Sequence, residues 1–215
     1  MKVKYFLQSC FLITSDNGTR ILTDPYHNMP GFKQPAFEAD IVTVSHSHSD
    51  HNNTGAVKGG FMLINKPEYL KKGDIEITGI ETYHDNREGS QRGRNILFKY
   101  VIDGLNICHC GDLGHILTDG QLNKIGKIDI LLLPVGGVFT IDANDAVKVM
   151  RQINPIITIP MHYKSKVFGP IGLMLGSVDK FITLAGIKST ELSELEVASG
   201  SISQYQGIIT LKIEN

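Results

Sequence analysis

The 215-residue chain has no tryptophan, three cysteines and almost no excess of charge, with 21 Lys plus Arg against 22 Asp plus Glu. A net charge of -1 gives no electrostatic footprint for duplex nucleic acid or for an anionic membrane. The missing indoles argue against a long stacking track for single strands. Three cysteines, two of them separated by one residue, do not make a disulfide framework and suit a reducing cytosol. No apolar run approaches the roughly 18 residues that a membrane-spanning helix needs. Lys2 and Lys4 precede an apolar stretch, but Gln8 and Ser9 interrupt it, and Thr14-Ser15-Asp16-Asn17-Gly18 stands where a small-residue cleavage site would be expected. The expectation is therefore a cytoplasmic protein with no signal peptide. With 41% hydrophobic and 20% charged residues the chain can bury a sizeable core, and its length favours one domain over residues 1–215.

The first half reads as strands separated by turns. Asn17-Gly18 between Tyr5 to Ile13 and Ile21 to Leu22 is a hairpin signal, and Asp103-Gly104 between Asn95 to Ile102 and Leu105 to Cys110 is a stronger one. A loop from Asp24 to Glu38 separates the first hairpin from a β-branched strand, Ile41 to Val44. Phe61 to Ile64 and Ile75 to Tyr83 follow. The second half mixes helices with strands. Asp119 to Ile125 is a short helix, Asp142 caps a helix running to Ile153, and Ser177 opens one that Gly186 closes. Ile128 to Val135, Ile156 to Met161 and Ile208 to Ile213 are strands by composition. The result is mixed α/β content without repeats or linkers.

Chemistry concentrates directly after the strand Ile41 to Val44, in His46-Ser47-His48-Ser49-Asp50-His51. Side chains two apart in an extended segment point the same way, so His46 and His48 can converge on one ion. Asp50 and His51 come where the chain turns and can serve a second. Imidazole and carboxylate suit zinc, iron or manganese rather than calcium. Further candidates end separate strands: His84 after Ile75 to Tyr83, Asp112 after Leu105 to Cys110, and His162 after Ile156 to Met161. Singly, each reads equally well as a buried histidine or a turn carboxylate. Delivered together to one sheet edge, they indicate a two-metal site.

The order H-x-H-x-D-H, then His, then Gly-Asp, then His after an apolar strand resembles the metallo-β-lactamase-fold hydrolase superfamily. The likeness runs through essentially the whole chain, from the opening hairpin ending in Leu22-Thr23-Asp24-Pro25. Cys108-His109-Cys110-Gly111-Asp112-Leu113-Gly114-His115 and Ile159-Pro160-Met161-His162-Tyr163 resemble the short branch that contains ascorbate-phosphate lactonase. The resemblance implies a four-layer αββα sandwich. It also implies that His46, His48 and His84 hold one metal, that Asp50, His51 and His162 hold the other, and that Asp112 bridges them. Asp24 would support the ligand loop from behind, against its plainer reading as a turn carboxylate before Pro25. Relatives in this branch often carry histidine where Gln8 stands.

The cofactor expectation is two divalent ions, zinc first, with Mn2+ or Fe2+ as alternatives. Such a pair, about 3.5–4 Å apart, lowers the pKa of a shared water towards about 7. Asp50 is a candidate proton shuttle, and His115 a candidate to reach substrate or orient a ligand, weighed evenly against a satisfied loop histidine. Arg87 and Arg94, in a loop that also holds Arg92, are candidates to grip a phosphate or carboxylate, against the reading of a solvated loop. Tyr163, Lys164 and Lys166 carry the same ambiguity. Cys108 and Cys110 read as small core residues, and His109, on the opposite face, as packing or as support behind the ligands rather than as a ligand. The leading function is hydrolysis of a small ester-type molecule, a lactone or phosphorylated metabolite. The alternatives are a phosphodiesterase acting on a nucleotide, RNA or phospholipid, and a metal-binding protein without turnover. The expected partner is a small-molecule substrate, with no nucleic acid and no membrane, and a homo-oligomer left open.

Overall fold

The computed structural model describes residues 1–28, 35–165 and 169–214. Its opening strands are β1 (Lys2–Leu7), β2 (Cys10–Thr14), β3 (Arg20–Thr23), β4 (Phe37–Glu38) and β5 (Ile41–Thr43). Next come β6 (Val57–Lys58), β7 (Met62–Ile64), β8 (Tyr69–Lys72), β9 (Ile75–Tyr83), β10 (Arg94–Ile102) and β11 (Leu105–His109). The second half contains α1 (Asp119–Ile125), β12 (Ile130–Pro134), α2 (Ala143–Ile153), β13 (Ile157–Met161) and α3 (Gly169–Met174). It closes with α4 (Val178–Ala185), β14 (Ser189–Leu192), β15 (Leu195–Glu196) and β16 (Gly207–Leu211).

Two sheets result, ordered β15-β1-β2-β3-β5-β7 and β14-β16-β13-β12-β11-β10-β9-β8, with β4 and β6 forming a separate ribbon. The apolar faces of both sheets meet in one core. Val3, Phe11 and Ile41 come from the first sheet, and Ile77, Phe98 and Leu132 from the second, all buried. Within this interior the Thr43 and Tyr100 hydroxyls share a hydrogen bond of 2.7 Å between the sheets, which pairs two groups that would be costly to bury alone. Helices α1 and α2 pack on the second sheet's outer side, against β9 and β12, and α4 packs against α2. α2 starts where Asp142 accepts the N–H groups of Asn144 and Asp145, and Ala146, Val149 and Met150 recur on its buried side. Over the outer face of the first sheet the described residues place Tyr26, Phe37 and Val57, from a loop and the β4–β6 ribbon. No helix among the described residues is long and apolar enough to cross a membrane.

Strand direction sets the place of the site. β9 and β11 are each antiparallel to β10, while β11, β12 and β13 are mutually parallel. The C-terminal ends of β9, β11 and β13 therefore share one edge, and His84, Asp112 and His162 follow them there. β5 delivers the His46–His51 loop from the facing sheet.

The apolar run Tyr5 to Ile13, expected to be one strand, is two. The chain reverses at Gln8 and Ser9, with Leu7 at φ 145° and Gln8 at φ 55°. Gln8 and Ser9 interrupt the apolar run, but no Gly or Pro marks the turn and both flanks are buried, so the pattern does not distinguish a reversal from a polar pair within one strand. β8 and β14 were also silent in the pattern, because both are short polar sequences at exposed sheet edges.

Candidate metal centre

The ligand loop is fastened from behind by Asp24, which is wholly buried. One carboxylate oxygen accepts the Ser45 N–H at 2.7 Å. The other accepts the Ser45 hydroxyl at 2.6 Å and faces His51 Nδ1 at 3.0 Å. Burial opposes the charge on Asp24, yet the hydrogen bond to His51 leaves its carboxyl below the usual range. An anionic acceptor at Nδ1 makes that nitrogen a donor and would leave Nε2 to offer its lone pair to a cation; against burial, the neighbouring Asp112, Asp24 and Asp50 carboxylates hold the His51 pKa well above the usual imidazole value. The rings of His48, His51 and His84 stand 4.6, 4.2 and 4.7 Å from that of His46, centroid to centroid.

Asp112 lies at the focus. Its Oδ2 is 3.3 Å from the Nε2 atoms of His51 and His84, 3.4 Å from that of His162 and 4.0 Å from that of His46. Gly111, at φ 53°, turns the chain to put it there, and a side chain at that position would strike Asn95 and Ser45. Asn95 accepts the Asp112 N–H and donates to the Cys110 carbonyl. His109 accepts the Gly111 N–H at Nδ1, which leaves the proton on Nε2 for the Ser9 carbonyl at 2.8 Å. The supporting role expected as one reading of His109 is what these bonds give it, whereas Asn95 escaped the sequence reading, being one of three polar residues in β10 with Arg94 and Lys99.

The residues fit divalent cations. Potential ligand atoms of His46, His48 and His84 lie within 4.8 Å of one another, as do those of Asp50, His51 and His162, and those of His46, His51 and Asp112. The first two sets coincide with the two expected ligand groups. Buried Nε2 atoms of His46 and His51 find no hydrogen-bond partner among the described residues, although buried imidazole nitrogens are normally paired. Burial, aided by neighbouring His51, drops His46 to about 3, so it stays a neutral ligand. Burial opposes the charge on Asp112, but His162 and His51 hold it well below the carboxylate range. Against the same penalty, the neighbouring His51 ring, whose Nε2 lies 3.6 Å from Asp50 Oδ2, holds Asp50 at about 2.

Over the cluster opens a cavity of about 410 Å3, lined on its far side by Gln91, Arg92 and Phe139. The Arg92 guanidinium stands 5.3 Å from the Phe139 ring centroid, within the range of a cation–π contact. The loop carrying Arg92 is wound around Asp85, whose carboxylate accepts the backbone N–H groups of Arg87, Gly89, Gln91 and Arg92. Burial works against that charge, but the four donors hold it at about 2.

The winding also sets where the arginines of this loop lie. Arg87 is exposed and outside the cavity lining, while its N–H is tied to Asp85. Arg94 lines a separate cavity of about 430 Å3, which shares only His46 with the cluster, and its Nε lies 3.4 Å from Glu81. Arg92 is the one turned towards the histidines. His115 is likewise not brought to the cavity. Its Nε2 accepts the Tyr83 N–H and its Nδ1 donates to the Ile116 carbonyl, so both nitrogens are spent, the first on bracing the residue before His84. Cys108 and Cys110 are buried and unpaired, as core residues. Lys166 lies outside the described residues.

Residues 2–162 match the beta-lactamase superfamily domain. The chain belongs to that superfamily. It is 29% identical to a UPF0173 metal-dependent hydrolase of Thermoplasma acidophilum, over 88% of this chain and 93% of the relative. It is 32% identical to another of Nanoarchaeum equitans, over 77% and 85%. A crystal structure from Thermotoga maritima, described as a candidate Zn-dependent hydrolase of the metallo-β-lactamase superfamily, superposes with a TM-score of 0.82 at 34% identity, over 98% of this chain and 97% of that one. Membership of the superfamily accounts for the paired sheets and for the edge at which the histidines gather.

Proposed function

We propose that this superfamily member is a metal-dependent hydrolase with a binuclear site, acting on a small anionic ester, with a lactone or phosphorylated metabolite as the leading class. The observation that carries the reading is the convergence of His46, His51, His84 and His162 on one carboxylate oxygen of Asp112. A structural zinc closes with four ligands, and this set of seven side chains from four segments exceeds that need. His46, His48 and His84 would hold one cation, Asp50, His51 and His162 the other, with Asp112 between them. Zinc is the first expectation, and manganese or iron suit the same donors. When bound, such a pair supplies hydroxide at neutral pH and neutralises charge on the electrophile and leaving oxygen.

The protein's own groups do the rest. Asp24 fixes the tautomer of His51. Asp50 is the half-exposed carboxylate of the cluster and the group able to pass a proton between the cavity and solvent. Arg92 presents a planar cation across the cavity, suited to a carboxylate or phosphate on the substrate, and the Phe139 ring offers an apolar wall beside it.

Elemental analysis of protein purified without chelator, run beside a panel of lactones, activated esters and p-nitrophenyl phosphodiesters, tests the reading. About two metals per chain and turnover of an anionic lactone or ester are expected. Preference for phosphodiesters would move the assignment to that class. A metal-replete protein that hydrolyses none of the panel would favour a metal binder without turnover.

A further inference from the structure

The reversal between β1 and β2 is strained, buried and aimed at the site. Leu7 and Gln8 sit at φ 145° and 55°, and neither is glycine. Such conformations persist where the surroundings over-determine them. Here the Gln8 carbonyl accepts two hydrogen bonds, from the Tyr5 hydroxyl at 3.1 Å and from the His162 N–H at 3.0 Å. His162 is itself at φ 49°, so its own unusual backbone leans on this bond.

The Gln8 side chain reaches the other way. It is 5% exposed, and Nε2 lies 3.4 Å from Asp50 Oδ2. The nitrogen must be the atom facing the carboxylate, since the amide oxygen there would meet a second acceptor. Oε1 is buried with no hydrogen-bond partner among the described residues. An unpaired buried acceptor is costly, and an apolar side chain would avoid that cost. Gln8 therefore touches two members of one ligand triad, Asp50 through its amide and His162 through its carbonyl, although these lie far apart in the chain.

We propose that Gln8 is a positioning residue for the Asp50–His51–His162 half of the metal centre, holding Asp50 and His162 at the spacing one cation requires. The proposal rests on the binuclear reading above. It assigns no such role in the His46–His48–His84 half, which Gln8 does not contact.

Stepwise Co2+ titration of chelator-treated protein, followed by visible absorption, separates the two halves. Gln8→Met removes the amide while keeping bulk. Gln8→Asn keeps an amide and tolerates the positive φ but falls short of Asp50, so it serves if the first variant does not fold. In either variant the first equivalent should bind as in the wild type, and the second about 10–100-fold more weakly. In an Asp50→Asn background the same substitution should change second-equivalent affinity less than about 2-fold, as a double-mutant cycle requires of an effect passing through that carboxylate. Unchanged titration of both variants overturns the proposal. So does an equal loss in the Asp50→Asn background, which would make Gln8 a fold residue only. A wild type that takes up a single equivalent overturns the binuclear reading instead, and this proposal with it.

Discussion

Asp24 and His51 share a hydrogen bond of 3.0 Å in complete burial, and the same carboxylate holds both the backbone and the hydroxyl of Ser45. One residue thus orients a ring and ties down the start of the loop that carries it. Asp24→Asn keeps the shape but removes the charge and lets the amide face Nδ1 with the wrong polarity. Metal affinity should fall about 10–100-fold, read by competition with a coloured chelator. Asp24→Ala should also cost about 1–3 kcal/mol of stability, because the Ser45 N–H and His51 Nδ1–H lose their acceptor in the core. Unchanged affinity in both variants would show that the loop holds its shape without Asp24.

Metal should stabilise the fold by simple linkage, since the triads are assembled from four segments that only folding brings together. Chelator-treated protein should melt lower than metal-replete protein. At a free metal concentration about 100 times Kd the gain is about 2.7 kcal/mol. Calorimetry across a metal series checks this. The gain should shrink in His48→Ala, whose exposed ring can be removed without opening the core.

Sequence pattern located the candidate ligands because their chemistry is local: a run of four donors in six residues, and single donors at the ends of apolar strands. It disclosed α2 to the residue, since Asp142, Ala146, Val149 and Met150 speak to cap and face independently. It failed where a position is defined by a partner distant in the chain. Arg92, exposed like Arg87 and Arg94, lines the cavity beside the histidines because four backbone N–H groups close on Asp85, and no spacing rule encodes which side chain such a winding places there. The fate of His115 was hidden for the same reason, because its partner, the Tyr83 N–H, belongs to another strand. The turn at Gln8 is sustained by the Tyr5 hydroxyl and the His162 N–H instead of by turn residues of its own.

Arg92 should discriminate substrates by charge. Arg92→Ala is expected to lower kcat/KM for a carboxylate- or phosphate-bearing substrate by about 10–100-fold, the worth of a charge-assisted pair. Neutral esters of similar size should change little. Asp85→Ala should reproduce part of this loss through a raised KM, because the loop presenting Arg92 loses its central acceptor while the guanidinium remains. Steady-state kinetics on a matched charged and neutral pair decide the matter. Equal losses on both substrates would remove Arg92 from substrate recognition.

The close approach of the loops after β9 and β11 leaves no room at Gly114, where a methyl group would collide with the backbone of His84 and Asp85. Those atoms are held by the His84 N–H to Gly93 C=O bond at 3.0 Å and by the N–H to C=O bond from Gly114 to Tyr83 at 2.9 Å, so they cannot yield as a flexible side chain would. Gly114→Ala should destabilise the protein by about 1–3 kcal/mol. It should also weaken metal binding by displacing His84 from Asp112. Denaturant unfolding and metal titration measured together are the check, and full stability with wild-type affinity would contradict the packing argument.

Away from the site, Asp129 gives a pH dependence with a definite sign. Its carboxylate is 3% exposed and accepts from the Asn106 N–H at 2.8 Å and the Asn106 side-chain amide at 2.9 Å, with Lys127 Nζ at 3.1 Å. Burial pushes its pKa up, but these donors outweigh it and leave the group below the usual carboxylate value. A folded-state pKa below the unfolded one means that the unfolded chain binds the proton more readily. The stabilisation is therefore complete above the ordinary carboxylate pKa of about 3.9 and is lost as pH falls through the folded value. Asp129→Asn should be less stable than wild type by about 1–2 kcal/mol at pH 6, and the gap should close as pH drops below about 4. Denaturant midpoints from pH 6 to pH 3 for the two proteins measure it, and a gap that is constant or widens towards acid would show that the donors around Asp129 do not favour its charged form.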